Sequence, residues 1–356
     1  MKKIKILFYS HTIDYAGTWR SHERIILNLD KDLFDPYVFY NPNKDNNRLD
    51  FLKNKLPNGK VIPFDASLNK LGSEYGYPYE NNNFSELAKL YNFDIIHFAR
   101  SGYYEWPFTE RISPLQIETN IFGYRDQSNF LDCSIAICET IKNLRGGCDE
   151  VIYNPIPKKI EDSQNIKKEY NIPHDYIVFG RIGRPAHFHP ISLLSLNILK
   201  EKMGFHKFKY IVVGACENFK STAKNLKLID DCVFISETND DNLIHKFYNT
   251  IDIFLHYRGD GECHSTAISQ SLSYGKPVIS HYAGYNGQSE TIKDGGFVCV
   301  DEYEYCENIL KLITHKDTYD EVSKNAMKRS LDFDLDNIVD LWSTLYMKLY
   351  KNKIKN

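Results

Sequence analysis

The residues best suited to chemistry lie in the segment 252–277, DIFLHYRGDGECHSTAISQSLSYGKP. The pattern predicts a strand, a glycine-rich turn that carries Glu262, and a helix of small and polar residues that ends near Gly275 and Pro277. Such a turn directs backbone N–H groups and the positive end of a helix at one spot, which suits a diphosphate. A carboxylate at the same spot can hold sugar hydroxyls. One segment could therefore bind both halves of a nucleotide-sugar.

The composition is that of a soluble protein with two domains. A chain of 356 residues is comfortable for two domains of roughly 150–180 residues each. It is 42% hydrophobic and 26% charged, as globular proteins are. The net charge of -3 argues against a general nucleic-acid binder, since such proteins are usually basic. The lysine-rich ends, MKKIK and KLYKNKIKN, are compatible with weak contact with an anionic membrane surface.

The sequence also indicates the compartment and the absence of a metal site. The start, MKKIKILFYSHTID, is typical of a buried first strand and not of a signal peptide. No apolar run approaches the ~20 residues that span a bilayer. The eight cysteines lack zinc-ligand spacing, and the Asp-x-Asp pairs at 331–337 are interpreted as capping and solvated charges. We expect a cytoplasmic protein, membrane-peripheral at most, with reduced thiols and no metal.

Strands and helices alternate along the whole chain. Short β-branched or aromatic runs such as KILFYS, DPYVFY and FDIIHFA are followed by amphipathic stretches such as 19–29. This alternation predicts parallel βαβ units with helices on both faces of a sheet. The aperiodic segment 154–163, NPIPKKIEDS, resembles a linker. We predict an α/β fold with two Rossmann-like, doubly wound domains facing a cleft, at 1–154 and 155–335, with a C-terminal helix at 336–356 that packs back on the first.

An ordered series of motifs resembles the donor domain of GT-B glycosyltransferases, most closely the retaining family 4 type. The series is VIYNPI (151–156), FGRIGRP (179–185), YIVVG (210–214), VFISE (233–237), YNTIDIFLHYRGDGE (248–262), KPVIS (276–280) and G-x-N-G-x-x-E (284–290). The first half is similar too, through KILFYSH…AGTWRSHERIILNL, which resembles the acceptor-side loop and first helix, and FDIIHFA (93–99). Each motif alone is weak, whereas their order is specific.

The resemblance implies a sugar transferase with the architecture of two facing domains. The donor would be a nucleotide-diphospho-sugar, with UDP favoured over GDP, and the acceptor a hydroxyl on a glycan, a lipid-linked glycan or another molecule. Transfer would retain the anomeric configuration and need no metal. No cofactor is implied either, because the nucleotide-sugar is itself a substrate. Basic side chains and helix amides would stabilise the departing diphosphate. No nucleic-acid partner is expected.

The resemblance also assigns roles to individual residues. Those with a catalytic role would be Glu262, His97 and Arg184. Those that bind the donor would be Gly17, Thr18, Arg181, Gly183, His187, Arg258, Gly261, Cys263, His264, Ser265, Thr266, Gln270 and Glu290. The aromatic segment 102–108, GYYEWPF, lies on the acceptor side and could stack on a sugar ring or lipid.

The chain departs from the family pattern at three places. Gln270 stands where the family has a second Glu, which accepts hydrogen bonds from the ribose hydroxyls. HFHP (187–190) stands where the family has a Lys, and Ala99 stands where it has a second His. His187 or His189 could replace the Lys, which would make phosphate binding sensitive to pH near ~6.5. These departures support one alternative, a catalytically silent nucleotide-sugar-binding or scaffold protein on the same fold. An epimerase on this fold is a third reading.

Single residues have simpler readings as well. Glu262 could be a solvated turn carboxylate, and His97 a core histidine. Arg181 could lie inside the sheet beside a carboxylate, and Glu290 could stabilise a helix start. Gln270 could be an ordinary helix-surface residue.

Overall fold

The computed structural model describes residues 2–10, 12–14, 17–44, 46–65, 83–100, 110–125, 128–144, 147–160 and 164–355. The chain divides into two compact units, of which the first comprises Met1–Pro155 and Leu335–Asn356 and the second comprises Ile156–Asp334. The sequence predicts the division after 154 and the returning helix from 336.

Strands and helices alternate in both units. The first unit contains β1 Ile4–Tyr9, α1 Gly17–Asn28, β2 Phe34–Tyr40, α2 Leu49–Lys55, β3 Val61–Pro63, α3 Phe84–Tyr91, β4 Ile95–Arg100, β5 Leu115–Asn120, β6 Cys133–Ala136, α4 Glu139–Lys142 and β7 Glu150–Val151. The second unit contains β8 Ile177–Ile182, α5 Ile191–Glu201, β9 Phe208–Val213, α6 Glu217–Asn225, β10 Cys232–Ile235, α7 Asp241–Thr250, β11 Ile253–Leu255, β12 Gly261–Glu262, α8 Thr266–Ser273, β13 Val278–His281, β14 Tyr285–Asn286, α9 Gly287–Ile292, β15 Gly296–Cys299, α10 Glu302–Thr314 and α11 Lys316–Ser330. The last helix, α12 Leu335–Lys355, returns to the first unit. Single 3-10 turns lie at Pro185–His187, Ile229–Asp231, Lys293–Gly295 and Leu331–Phe333.

The described strands of the first unit form one parallel sheet in the order β3-β2-β1-β4-β5-β6-β7. Such a sheet is covered on both faces, so its strands are buried almost throughout. All six residues of β5 are buried, for example. Helix α12 belongs to this core because Trp342 and Tyr346 pack with Trp19 of α1 and Phe8 of β1.

The second unit has a parallel sheet in the order β10-β9-β8-β11-β13-β15. A second, two-stranded parallel sheet pairs β12 with β14, so that Gly261 lies opposite Tyr285 and Glu262 opposite Asn286. The loops that follow β8, β11 and β13 all leave the carboxyl edge of the main sheet. Ligands of such sheets bind at this edge, and most of the predicted donor-site residues lie on these three loops.

Among the described residues, no helix is long and apolar enough to cross a membrane.

Candidate functional site

The short β12–β14 pairing joins two loops through close backbone contact. Gly261 has φ +84, and a Cβ there would lie 1.7 Å from the carbonyl oxygen of Tyr285. A Cβ on Gly287 would lie 1.9 Å from the carbonyl oxygen of Cys263. Both positions therefore require glycine, and the two glycines let the loop after β11 rest directly on the loop after β13.

This pairing holds Glu262 in a polar environment that is largely closed to solvent. Its side chain is 12% exposed, with Oε2 accepting from Nη1 of Arg258 at 3.0 Å and Oε1 lying 3.4 Å from Nε2 of His256. Its backbone N–H donates to Oε1 of Gln288 at 3.0 Å, and Nε2 of Gln288 donates to the carbonyl of His281 at 2.8 Å. The carboxylate and its backbone are thus fixed by separate partners.

Electrostatics keep this carboxylate charged. Burial alone would raise the pKa of Glu262, but the hydrogen bond with His256 and the positive charges of Arg258 and Arg181 outweigh it, so the pKa is lowered. Burial, aided by the charge of Arg181, lowers the pKa of His256 to about 4. The imidazole is therefore neutral at neutral pH, and Glu262 is an ionised acceptor suited to hydroxyl groups.

Helix α8 begins four residues after Glu262. Ser265 is its N-cap, and the side chain of Ser265 accepts a hydrogen bond from the backbone N–H of Ile268. Thr266 is the first helical residue. The first N–H groups of a helix have no partner within it, and its N-terminus carries a partial positive charge. The start of α8 can therefore bind an anion beside the carboxylate of Glu262.

The two residues between Glu262 and the N-cap point inward. Cys263 is buried, and burial raises the pKa of its thiol to about 11, so that the thiol stays protonated. His264 is buried with Nε2 3.1 Å from Oγ of Ser269, and its ring lies against Phe333. Burial lowers the pKa of His264 to about 4. The side chain of His264 thus ties the turn to Ser269 of α8, and the backbone of both residues leads into the start of α8.

The loop after β8 adds further polar groups. Gly183 is followed by Arg184, which is exposed, and by a single 3-10 turn that ends at His187. Burial, followed by the charge of Arg258, lowers the pKa of the half-buried His187. The ring of His189 stacks on Tyr257 at 4.0 Å, and burial lowers its pKa too. Both pKa values are therefore lowered from the ordinary histidine value, and a role of either residue in phosphate binding stays a prediction.

Arg181 does not match the prediction for it. The residue is 4% exposed, and its guanidinium donates to the carbonyls of Ile182 and Tyr257 at 2.6 and 2.9 Å. Because β8 is a central strand, a side chain near its end still points into the packed interior. Arg181 therefore contributes its charge through the protein, as the lowered pKa of Glu262 indicates, and does not present its fork to a ligand.

His97 also differs from its predicted catalytic role. It is fully buried in the first unit, with Nδ1 2.6 Å from the hydroxyl of Tyr346 and Nε2 2.8 Å from Oγ1 of Thr119. Burial and the neighbouring His22 hold the pKa of His97 well below its usual range. This packing makes His97 a core histidine, the simpler of its two readings, because no ligand can reach its ring.

The remaining predicted residues are more open. Gly17 and Thr18 begin α1, and Gln270 is half-buried four residues after the start of α8. Glu290 lies in α9, where its carbonyl accepts from Arg329 at 2.8 Å. The segment 102–108 lies outside the described residues. In the described part of the chain, no group of three or more His, Cys, Asp or Glu side chains could hold a metal ion.

Sequence reasoning overlooked Gln288 and Ser280. Gln288 is fully buried and joins the two loops through both atoms of its amide, and Ser280 hydrogen-bonds His256 at 2.8 Å. Gln288 lies inside the G-x-N-G-x-x-E motif, which marks the turn but not the glutamine. A single glutamine has no periodicity that would predict its role.

The second unit matches a known protein family, and the chain as a whole is similar to solved structures. Residues 162–329 match the sequence model of the family Glycosyl transferases group 1. A glycosyltransferase from Rickettsia africae ESF-5 is similar over 100% of both chains, with a TM-score of 0.73 and 18% identity. HepE from Anabaena, solved with UDP-glucose, has a TM-score of 0.71 at 15% identity over 97% of this chain and 100% of its own. WaaG, a glycosyltransferase involved in lipopolysaccharide biosynthesis, has a TM-score of 0.64 at 12% identity over 96% and 99%.

These similarities show an α/β protein of the GT-B fold, as the motif order predicts. The match to Glycosyl transferases group 1 covers residues 162–329, which lie in the second unit. No curated protein matches the chain.

Proposed function

We propose that this enzyme transfers a sugar from a UDP-sugar to a hydroxyl acceptor, with the donor bound by the second unit. The observation that carries the proposal is the ionised Glu262 carboxylate in the turn that leads into the N-terminus of α8. The first can accept hydrogen bonds from sugar hydroxyls, and the second can bind a diphosphate. HepE, which has the same fold, was solved with UDP-glucose, and this favours UDP.

The chemistry needs stabilisation of the leaving diphosphate. The bond between the sugar C1 and the β-phosphate oxygen breaks, and a bond from C1 to the acceptor oxygen forms. The acceptor proton passes to an oxygen of the leaving phosphate, so no side chain has to act as the base. Arg184, Arg258 and the start of α8 lie on loops at one edge of the sheet, and they would stabilise the negative charge as it develops.

Retention and independence from metal are part of the same proposal. Both follow from the resemblance to the retaining family 4 type, and positive charge from arginine and helix amides would replace that of a divalent ion. The acceptor is proposed to be a glycan or lipid-linked glycan, since WaaG is involved in lipopolysaccharide biosynthesis. A cytoplasmic, membrane-peripheral location would suit such an acceptor.

Thermal-shift measurements test the donor. UDP-, GDP-, dTDP- and ADP-sugars are compared with and without EDTA, at concentrations of ~100 times the dissociation constant, where binding adds ~2.7 kcal/mol. We expect a UDP-sugar to raise the melting temperature equally in EDTA. The variant Glu262→Gln should lose the difference between UDP-sugar and UDP while it keeps the response to UDP.

Turnover is tested separately with the donor that gives the shift. Release of UDP that increases with added glycan acceptors supports transfer. Binding without UDP release across an acceptor panel would favour the silent binding protein. Absence of a shift with every donor, in a protein that melts cooperatively, contradicts the proposed site.

A further inference from the structure

Three side chains form a line behind the candidate sugar site. Oγ of Ser280 lies 2.8 Å from Nδ1 of His256, and Nε2 of His256 lies 3.4 Å from Oε1 of Glu262. Ser280 and His256 are fully buried, so neither can touch a ligand. Any effect that they have on a bound sugar must pass through Glu262.

The chemistry of the three groups decides where the proton lies. A neutral imidazole has one N–H donor and one acceptor, whereas an ionised carboxylate only accepts. The contact between His256 and Glu262 is therefore attractive only when Nε2 carries the proton. Nδ1 then becomes the acceptor, and the hydroxyl of Ser280 can donate to it. Burial favours the neutral imidazole on which this reasoning depends.

The backbone at His256 is also held in place. The hydroxyl of Tyr305 lies 3.2 Å from the carbonyl oxygen of His256 and 2.9 Å from that of Ile279, next to Ser280, and shares its one proton between them. Arg258, the partner of the other carboxylate oxygen, has a side chain that is 27% exposed and shared with Asp260. His256 is thus the buried, fixed contact of Glu262, and Arg258 is the solvent-facing one.

We propose that His256 is a positioning residue that orients the Glu262 carboxylate toward the donor sugar, with the Ser280 hydroxyl donating to the other ring nitrogen. The proposal rests on the proposed function, because orientation matters only where Glu262 meets the sugar. A separation of 3.4 Å is long for a hydrogen bond, and such bonds in ligand-free sites often shorten when the ligand binds.

The first experiment needs no donor. Protein with ¹⁵N-labelled histidine is studied by NMR at pH 7, and the His256 signals are assigned by their loss in His256→Gln. We expect Nε2 to be protonated in the wild-type protein and the tautomer preference to weaken in Ser280→Ala. A ring protonated only at Nδ1 cannot donate to Glu262 and overturns the proposal.

The second experiment uses two amide variants that mimic one ring nitrogen each. His256→Gln can place an N–H near the position of Nε2, whereas His256→Asn reaches only the position of Nδ1. Dissociation constants for UDP-glucose and for UDP are measured by calorimetry in both variants. The advantage of UDP-glucose is the ratio of the dissociation constant for UDP to that for UDP-glucose. We expect this ratio to fall about three- to tenfold in His256→Asn and to fall less in His256→Gln. Binding of UDP alone should change little in either variant.

A matched control separates positioning from general destabilisation. His245→Gln also alters a buried histidine of the second unit, where His245 contacts the hydroxyl of Tyr274. The control should preserve the advantage of UDP-glucose even if the melting temperature falls. Equal losses in His256→Gln and His256→Asn, or equal losses for UDP and UDP-glucose, overturn the proposal. If the wild-type protein does not prefer UDP-glucose, the donor assignment fails, whereas the NMR result still decides whether His256 donates a hydrogen bond to Glu262.

Discussion

Nη1 of Arg258 lies 3.0 Å from Oε2 of Glu262, and the same guanidinium donates from Nε to Asp260 at 2.9 Å. One arginine therefore links the carboxylate assigned to the sugar with an exposed carboxylate at the tip of the same turn. This ion pair places the positive charge of Arg258 beside the Glu262 carboxylate, which is proposed to bind the donor sugar. It also makes the ionisation of Glu262 depend on a neighbour four residues away.

We predict that Arg258→Gln weakens UDP-sugar binding at pH 7 about fivefold, because a partly exposed ion pair contributes roughly 1 kcal/mol. The pKa of Glu262 is lowered in the folded protein, so the carboxylate is ionised above this pKa, and the advantage of a UDP-sugar over UDP is lost as the pH falls through it. Removal of the Arg258 charge raises this pKa, so the advantage should be lost at a higher pH than in the wild-type protein. Calorimetry with UDP-glucose and with UDP, from pH 7 to below the usual carboxyl pKa of ~4.3, measures the midpoint.

Arg125→Gln provides the matched control for Arg258→Gln. It removes an arginine that pairs with Asp149 at 2.7 Å in the first unit. The control should keep the wild-type midpoint. An unchanged midpoint in Arg258→Gln would mean that Arg258 does not act on Glu262.

Much of the architecture could be predicted because parallel strands are read from local sequence. The run FKYIVVG contains β9, Phe208–Val213, and five of the six residues of β9 are buried. The motif order predicts the resemblance to GT-B glycosyltransferases, and residues 162–329 match the family Glycosyl transferases group 1. Both signals are local: a strand of a covered parallel sheet is apolar throughout, and a family motif is contiguous.

Errors arose where the three-dimensional environment decides. The family resemblance predicts functional roles for His97 and Arg181, yet both side chains lie in the packed interior. The two-residue strands β12 and β14 are too short for any periodicity, and their pairing depends on contacts between loops 24 residues apart. The role of Gln288 follows only from its hydrogen bonds to the two loops that it joins. Such features depend on partners distant in sequence.

We predict a large loss of stability for Gly261→Ala. The new Cβ would lie 1.7 Å from the carbonyl oxygen of Tyr285 at a backbone φ of +84, so the two loops must separate. The free energy of unfolding should fall by about 3 kcal/mol or more, as for other severe strain and overpacking. Thermal unfolding followed by circular dichroism measures the change, and the thermal shift with a UDP-sugar should decrease in parallel.

Gly204→Ala separates steric overlap from backbone strain. Gly204 also has a positive φ, +69, but a Cβ added there would have no atom within 4 Å. This control should cost only about 1 kcal/mol, the strain of a left-handed backbone. Similar losses in the two variants would show that the close approach of the loops is unimportant.

The first unit should lose stability in mild acid because of buried histidine. Burial lowers the pKa of His22 to about 4, below the usual 6.5. A histidine whose folded-state pKa is lowered contributes stability that is present above pH 6.5 and is lost as the pH falls toward 4. Between pH 7.5 and pH 5, this loss amounts to about 2 kcal/mol for one such group.

Urea unfolding of His22→Gln at the two pH values tests this contribution. Tryptophan fluorescence is the appropriate probe, since Trp19 and Trp342 belong to the core of the first unit. The pH-dependent loss should be about 2 kcal/mol smaller in His22→Gln than in the wild-type protein. The exposed His206 supplies the control, because His206→Gln should leave the loss unchanged. If the loss of stability between the two pH values is as large in His22→Gln as in the wild-type protein, the prediction is wrong.

Gln270→Glu should strengthen donor binding. The resemblance assigns this position to the ribose hydroxyls, and hydrogen bonds to a charged group contribute about 1 kcal/mol more than neutral ones. Affinities for UDP and for UDP-glucose should therefore both rise about fivefold to tenfold, since both ligands carry the ribose. This common rise distinguishes Gln270 from Glu262 and His256, whose variants should affect UDP-glucose alone.

Gln164→Glu is the control for Gln270→Glu, because it adds the same charge at an exposed position of the second unit. Calorimetry with UDP and UDP-glucose should give wild-type affinities for this control. If Gln270→Glu raises both affinities and also increases the rate of UDP production in the transfer assay, the native glutamine reduces the activity of a working transferase. If neither ligand binds more tightly, Gln270 does not contact the ribose, and the role that the family resemblance assigns to this residue is wrong.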